Sequence, residues 1–319
     1  MTRRAARVVV ALVFALAGVS AACGTILGLE TLPIVDPDAM PDQVSAADVS
    51  DAGCEASITM CGCVPHDFCD DFDVDGEALG ARWSGPLGLT NPFTKGDATI
   101  ELTTQALSAP RAILTTAGDP KASSIALLSQ QLDLAIAHPG QDFVGFRYVL
   151  DLQIEALETT EVRGPLVDSG SAVAASVLHF DGPAAKGVAI IVSPDGVFLL
   201  TAASILDIQG ADSGDGAITQ LFSGDILALS RNWLRVELLV ADKDRAVREG
   251  FASCASRTSG PVVAAAIGAA RIKQACLTLP SAIGLSWATQ PVVNAGSLLF
   301  AGGKLVLRQD NVAFDFLAP

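Results

Sequence analysis

Positive charge is scarce in this 319-residue chain. Lys and Arg together number 20, against 35 Asp and Glu, so the formal net charge is −15 at pH 7. A surface this acidic repels nucleic acid and anionic lipid headgroups. The composition therefore excludes a protein that tracks phosphate groups, and the acidity by itself indicates only good solubility.

Histidine is also scarce, and the motifs of common enzyme classes are missing. The three histidines, His66, His138 and His179, are isolated, and none has the spacing of a zinc-ligand motif such as H-E-x-x-H. The chain contains no G-x-S-x-G elbow, phosphate-binding loop or dinucleotide-binding fingerprint. We interpret the histidines as residues of loops and strand ends, and predict no catalytic residue and no organic cofactor.

Aromatic residues make up only 5% of the chain. An exposed indole can stack on the apolar face of a sugar ring, which makes Trp83, Trp233 and Trp287 the candidates for such a contact. Because a tryptophan within a strand more often belongs to the core, we expect core packing for most of them.

The chain also lacks an apolar run long enough to span a bilayer, which requires about 20 residues. Residues 8–19 are uninterruptedly apolar and follow Arg3, Arg4 and Arg7, and small residues at 20–22 precede a cysteine. A basic start, a short apolar segment and small residues are typical of an export signal. We predict a signal peptide over residues 1–22.

The junction at Ser20-Ala21-Ala22-Cys23 resembles the lipobox of bacterial lipoproteins, although that family usually has Leu where this chain has Ser20. The resemblance implies that Cys23 is lipidated and becomes the mature N-terminus. Gly24 follows instead of the Asp that retains such proteins in the inner membrane, so the implied location is the outer membrane, on its periplasmic or its surface face. Soluble secretion and a retained anchor are the alternatives.

Residues 23–57 have the composition of a solvated tether. Pro33, Pro37 and Pro41 alternate with several aspartates, and the apolar residues show neither helical nor strand periodicity. We predict a disordered, Pro/Asp-rich linker. Its first residues, 24–30, resemble the start of many lipoproteins of myxobacteria.

Seven cysteines leave an even set once Cys23 is assigned to a lipid. The remaining six are Cys54, Cys61, Cys63, Cys69, Cys254 and Cys276. In an oxidising compartment, six cysteines allow up to three disulfides. We expect Cys61 and Cys63 each to pair with Cys54 or Cys69, and Cys254 to pair with Cys276. The alternative for the first four, a zinc site, lacks a CxxC pair.

Alternation of apolar and polar residues predicts strands. Residues 144–156 alternate with a period of two, which indicates a long strand with one solvated face. Two apolar runs flank Ser193-Pro194-Asp195-Gly196, a turn sequence that predicts a hairpin. Further strands are expected at residues 172–180, 234–240, 284–288, 304–307 and 312–316.

Helical signals are few. Residues 123–136 fit either a helix or a strand, and the Ala-rich residues 262–275 have good helix propensity. We therefore predict an all-β domain over residues 58–319, an antiparallel two-sheet jelly-roll sandwich with a helical excursion at 255–275.

Five short segments resemble concanavalin A-like, or laminin G-like, jelly-roll domains. They are Phe68-Cys69-Asp70-Asp71-Phe72, Arg82-Trp83, Ser108-Ala109-Pro110-Arg111, Trp233-Leu234-Arg235-Val236-Glu237-Leu238 and Asp310-Asn311-Val312-Ala313-Phe314-Asp315. The resemblance implies that the first and last strands are neighbours. It also implies glycan as a partner.

Carboxylates near the first strand suggest a calcium site. Asp71, Asp73, Asp75 and Gly76 match the first half of an EF-hand loop, but Arg82 occupies the twelfth position, where a bidentate Glu is required. Jelly rolls of this family often bind calcium through loop carboxylates, which makes residues 207–225, with Asp207, Asp212, Asp215 and Asp225, a second candidate. The default interpretation of both is a solvated acidic loop.

The enzyme alternative concerns carboxylates on the long strand. Laminarinase-type jelly rolls use two glutamates flanking an aspartate on one strand face. Asp151 and Glu155 share a face and Glu158 follows, but no Glu-x-Asp-x-x-Glu motif occurs, so we expect the solvated side of a strand. We predict a membrane-tethered, non-catalytic binding or structural lipoprotein that recognises glycan or envelope polymer. A carbohydrate-active enzyme and an adhesive module with a protein partner are the alternatives.

Overall fold

The alternating segment forms the longest strand of a two-sheet sandwich. The computed structural model describes residues 60–73, 77–85, 91–108, 110–119, 124–159, 172–181, 184–202, 216–268, 271–281, 283–299 and 303–318. The predictions for the signal peptide, Cys23, the tether, Cys54, Asp75 and residues 207–215 lie outside these ranges.

The described strands, in chain order, are β1 (Phe68–Asp70), β2 (Phe93–Lys95), β3 (Ala98–Thr103), β4 (Ala112–Asp119), β5 (Ser124–Gln131), β6 (Gly145–Thr159), β7 (Ala172–Asp181), β8 (Ala184–Ser193), β9 (Gly196–Ala202), β10 (Gly216–Ser223), β11 (Leu234–Asp242), β12 (Pro261–Ile267), β13 (Lys273–Thr278), β14 (Val292–Leu299) and β15 (Gly303–Phe316). The α-helices are α1 (Met60–Cys63), α2 (Leu134–Ala137), α3 (Ile226–Leu229) and α4 (Lys243–Arg248), and 3₁₀ turns cover Ala252–Cys254 and Ser286–Thr289.

All strand pairs are antiparallel and form two sheets. The first has the order β13-β12-β11-β6-β15-β4-β3, with β1 also paired to β15, and the second has the order β10-β9-β8-β7-β14-β5-β2. This arrangement confirms the predicted all-β jelly-roll sandwich. The expected neighbourhood of the first and last strands is confirmed as well, since Phe68 lies opposite Phe314.

Strand β6 lies at the centre of the first sheet, and one of its faces contributes large side chains to the core. Phe146, Tyr148 and Leu150 point between the sheets and are fully buried. The opposite face was expected to be solvated, but Val149 is 7% and Asp151 1% exposed. The expectation is wrong there because β11 and β15 flank β6, and their long side chains extend over it.

The helical excursion predicted at 255–275 is wrong. Apart from the turn near Cys254, this part of the chain forms β12 and β13, which pair so that Ala264 lies opposite Cys276. Small side chains on β12 allow Phe251 and Cys254 to pack against the outer face of the sheet in a separate apolar cluster. Tertiary packing therefore overrides the helix propensity of alanine.

Two further segments refine the sequence expectations. Residues 284–288 were expected to be a strand, but a 3₁₀ turn at Ser286–Thr289 precedes β14 instead. The ambiguous residues 123–136 divide into β5 and the start of α2. The expected hairpin is present, with Ser193 at the end of β8 opposite Gly196 at the start of β9.

Two disulfides join described segments: Cys61–Cys69 and Cys254–Cys276. Both are among the pairings considered from the sequence. The zinc alternative is wrong for the first cysteine group because two of its four sulfurs form a disulfide and cannot act as thiolate ligands.

The outer face of the second sheet carries a further apolar cluster that includes Ile191, Leu200 and Leu298, each less than 9% exposed. Among the residues that the structure describes, no helix has the length and apolar character needed to cross a bilayer.

Candidate functional site

Three of the segments that carry the family resemblance meet where β1 pairs with β15: residues 68–72, Arg82-Trp83 and residues 310–315. Asp70 accepts hydrogen bonds from the Phe72 amide at 2.9 Å and from Trp83 Nε1 at 2.6 Å. The Trp83 ring lies edge-on to Phe68, with 4.8 Å between centroids. Burial raises the pKa of Asp70 even though both hydrogen bonds favour its ionised form. Asp70 therefore fixes the position of Trp83.

The two described carboxylates of the calcium candidate contact the protein itself. Asp73 Oδ1 accepts from the Arg111 amide at 2.9 Å, and burial raises the pKa of Asp73. Asp71 is only 5% exposed. Within the described ranges no group of three His, Cys, Asp or Glu side chains is arranged to hold a metal ion. The calcium prediction rests on Asp75, which is outside them.

Asp310, on β15 close to its pairing with β1, is fully buried. Its carboxylate accepts from the amides of Leu107 at 3.0 Å, Ser108 at 2.9 Å and Asn311 at 2.8 Å, and from the Ser108 hydroxyl at 3.1 Å. Burial raises its pKa to about 7. The sequence marked this residue only as the start of the last strand, because nothing local indicates that a distant loop will cover it.

Asp151, the central carboxylate of the enzyme alternative, is bound on both oxygens. Arg235 donates from Nε at 3.0 Å and from Nη2 at 2.9 Å, and Asn311 Nδ2 donates at 3.0 Å. The Asp151 side chain is 2% exposed. On the same face, Glu155 forms an ion pair with Arg308.

The same pattern continues along the outer face of the first sheet. Glu237 lies between two arginines, with Arg147 Nε at 2.6 Å and Arg271 Nε at 2.7 Å. The Arg271 guanidinium also lies 4.5 Å from the centre of the Phe251 ring. These pairs connect strands, and the turn at Arg271, to β11 and place Glu237 against two guanidinium groups.

Two histidines, His66 and His138, form contacts that connect the segment before β1 to the last strand, β15. His66 Nδ1 lies 2.9 Å from Asp315 Oδ2, and His138 Nε2 lies 2.8 Å from Asp67 Oδ1. The second oxygen of Asp67 accepts from the Phe316 amide at 2.7 Å. His179 Nδ1 lies 3.1 Å from the main-chain oxygen of Gln290. The sequence interpretation as isolated loop residues missed the two carboxylate contacts, because their partners are far away in the chain.

The three tryptophans differ in solvent exposure: two are buried and one is partly exposed. Trp83 and Trp287 are 4% and 1% exposed, so their rings are unavailable for stacking on a ligand. Trp233 is half-buried at the start of β11.

A cleft of about 460 Å³ opens beside α4, at the end of β11 and the start of β12. Its lining includes three cations, Lys243, Arg245 and Arg248, and two carboxylates, Asp242 and Asp244. Ser259, Gly260 and Val144 complete the lining. No sequence motif predicted a site in this segment. The signal that it carried was the Lys-Asp-Arg-Ala-Val-Arg run directly after a strand.

The chain matches no protein-family model and no curated protein. Solved structures with a similar fold include alginate lyase vAL-1 from Chlorella virus, at 10% identity, TM-score 0.39, covering 71% of this chain and 93% of that chain. The alginate lyase from Klebsiella pneumoniae has 9% identity, TM-score 0.42 and coverage of 67% and 84%. The binding domain of botulinum neurotoxin DC, in complex with rat synaptotagmin II, has 10% identity, TM-score 0.38 and coverage of 71% and 45%. At these scores the likeness supports no conclusion about function.

Proposed function

We propose that this protein is a lipoprotein of the cell envelope whose sandwich domain binds an envelope polymer, such as a glycan, without cleaving it. One observation carries the non-catalytic part of the proposal. Asp151, Glu155 and Glu237 on the outer face of the first sheet each form an ion pair with an arginine of a neighbouring strand or turn.

Glycoside cleavage by two carboxylates requires a proton donor and a second carboxylate, both in contact with the bond that breaks. Asp151 cannot make such a contact, since its side chain is 2% exposed and both oxygens accept hydrogen bonds from Arg235 or Asn311. Asp310 has the raised pKa of a proton donor, but it is fully buried and holds the loop at Ser108. Its environment serves folding rather than proton transfer.

Glu155 is the accessible member of this set, with 34% of its side chain exposed. A register shift at Glu155 leaves the exposed Glu158 on the same outer face, whereas Asp151 on its other side is buried. Arg308 forms an ion pair with Glu155 and donates to Gln153, so a substrate at Glu155 would meet an arginine and an amide. Arginine and amide side chains bind hydroxyl and carboxylate groups well, which suits recognition.

The envelope location is proposed from the N-terminal sequence, which the structure does not describe. Arg3, Arg4 and Arg7, the apolar residues 8–19 and Cys23 support an export signal followed by lipidation. Globomycin treatment is expected to block processing, and Cys23→Ser is expected to release the protein from the membrane fraction. Unchanged processing together with a membrane-bound Cys23→Ser variant would contradict the lipid anchor.

The binding function is tested with the full-length chain in mild detergent. Immobilised envelope polysaccharides should retain the protein, and prolonged incubation should release no reducing ends and no unsaturated sugars. Glu155→Gln should leave retention unchanged or moderately weakened. Turnover that disappears in Glu155→Gln would establish an enzyme instead, and retention on no polymer would contradict the binding function.

A further inference from the structure

The cleft beside α4 is formed by well-anchored backbone. The Lys243 amide donates to the Gly260 oxygen at 3.0 Å, which joins the two sides of the cleft. Ala246, in the middle of α4, is fully buried in the apolar cluster that contains Phe251 and Cys254. The Cys254–Cys276 disulfide ties that cluster to β13. The charged side chains of α4 therefore extend from a backbone that is held in place.

Its charge differs from that of the rest of the chain. Three of the 20 Lys and Arg residues of a chain with net charge −15 lie within the six residues of α4. Arg245 is oriented by Glu249 at 2.7 Å and by the Ala318 oxygen at 3.0 Å. The cleft therefore brings three cations of an acidic protein to one place, beside the carboxylates of Asp242 and Asp244.

Positively and negatively charged side chains line the same cleft, and this limits the chemical class of ligand that can bind there. A simple anion would be repelled by Asp242 and Asp244, and a cation would be repelled by Lys243, Arg245 and Arg248. A hydroxylated carboxylate satisfies both sets, because its acid group meets the cations and its hydroxyls donate to the aspartates. The volume of about 460 Å³ lies within the range typical of small-molecule sites.

We propose that this cleft binds a carboxylate-bearing sugar, namely a uronic-acid unit of an acidic polysaccharide. The inference rests on the polymer-binding function proposed above and specifies its ligand class and its site. The ion pairs on the outer face of the first sheet then keep a structural role, and recognition belongs to Lys243, Arg248 and Asp244.

The test uses the full-length chain in mild detergent and titrates it calorimetrically with oligogalacturonate. The matched ligand is the methyl-esterified oligomer, which keeps the ring hydroxyls but loses the charge. Oligogalacturonate is expected to bind at least tenfold more tightly than its ester. The affinity is expected to fall when salt is raised, because exposed charges are screened.

Variants locate the site. Lys243→Gln/Arg248→Gln should weaken oligogalacturonate binding at least tenfold. Lys95→Gln/Lys304→Gln removes the same charge from exposed positions on β2 and β15 and should change the affinity less than twofold. Asp244→Ala should also weaken binding if its carboxylate accepts sugar hydroxyls, whereas a simple anion site would bind more tightly.

Equal affinities of the two double variants, or tighter binding by Asp244→Ala, would overturn the inference. In that case retention on other envelope polysaccharides would leave the proposed binding function standing. Loss of retention on every polymer tested would reject that function as well.

Discussion

The side-chain amide of Gln309 on β15 donates to the main-chain oxygen of Ala174 on β7, 2.6 Å away across the interface between the sheets. Its oxygen accepts from the Gly296 amide on β14. Ala174 and Gly296 lie where strands of the second sheet shift register. The shift near Ala174 is between Val173 and Ala175, and the shift near Gly296 is between Asn294 and Leu298. A shift in register leaves main-chain groups without hydrogen-bond partners on the neighbouring strand. The fully buried side chain of Gln309 forms hydrogen bonds with these groups instead.

We expect Gln309→Leu to lower the free energy of unfolding by about 2–4 kcal/mol, because an apolar side chain leaves a buried amide and a buried carbonyl unpaired. The measurement is urea denaturation followed by circular dichroism. Gln220→Leu, at an exposed position on β10, is the control and should shift stability by less than about 0.5 kcal/mol. Equal effects of the two substitutions would contradict the bridging role.

Asp310 predicts a dependence of stability on pH. Because its pKa is raised to about 7 in the folded protein, the folded state retains a proton that the unfolded chain has lost. The stabilisation is complete below the unfolded pKa of about 3.9 and is lost as pH rises towards the folded value, by up to about 1.4 kcal/mol per pH unit. Asp310→Asn does not titrate, so the stability advantage of wild type over this variant should shrink from pH 4 to pH 7. A constant difference would show that Asp310 does not carry the effect.

The Cys254–Cys276 disulfide connects residues 22 positions apart. Constraint of the unfolded chain by a loop of this length stabilises the fold by about 3 kcal/mol in the chain-entropy treatment. We expect Cys254→Ala/Cys276→Ala to lose about that amount in urea denaturation. The single variant Cys276→Ala should lose a similar amount, since one missing sulfur already opens the loop. Retention of wild-type stability by the single variant would exclude a role for the cross-link.

A count of free thiols tests the remaining cysteines. Four of the six cysteines beyond Cys23 form two disulfides, which leaves Cys54 and Cys63 as a matched pair. In an oxidising compartment we expect these two to be joined. With Cys23 carrying the proposed lipid, the protein denatured without reductant should then react with no equivalent of a thiol reagent. Two reactive thiols would contradict the third disulfide.

The ion pair between Asp151 and Arg235 predicts a large cost for removing one partner. Asp151→Ala leaves the partly exposed Arg235 and the Asn311 amide without their buried acceptor, and we expect a loss of about 2 kcal/mol in urea denaturation. Glu158→Ala, at an exposed position on the same strand, is the control and should be nearly neutral. A small effect of Asp151→Ala would contradict this role of the ion pair and would support the solvated position that the sequence alternation predicted.

The sandwich fold could be predicted because strand signals are local. The period of two in β6, the turn at Pro194 and the closing alternation in β15 each report a backbone that must bury one face, and each is present in the structure. Local pattern was wrong for the Ala-rich β12, where small residues permit more than one conformation, and for the turn at Ser286, where Trp287 is buried in the core; packing decides in both.

The sequence by itself determined the fold class and the scarcity of positive charge. Only the tertiary structure decided which polar residues are buried together. Asp151 becomes inaccessible because Arg235 and Asn311 arrive from neighbouring strands, and the charged run 243–248 becomes a cleft because the turn at Gly260 closes against it. Periodicity describes which face a side chain occupies, whereas burial and charge pairing depend on residues that only folding brings into contact.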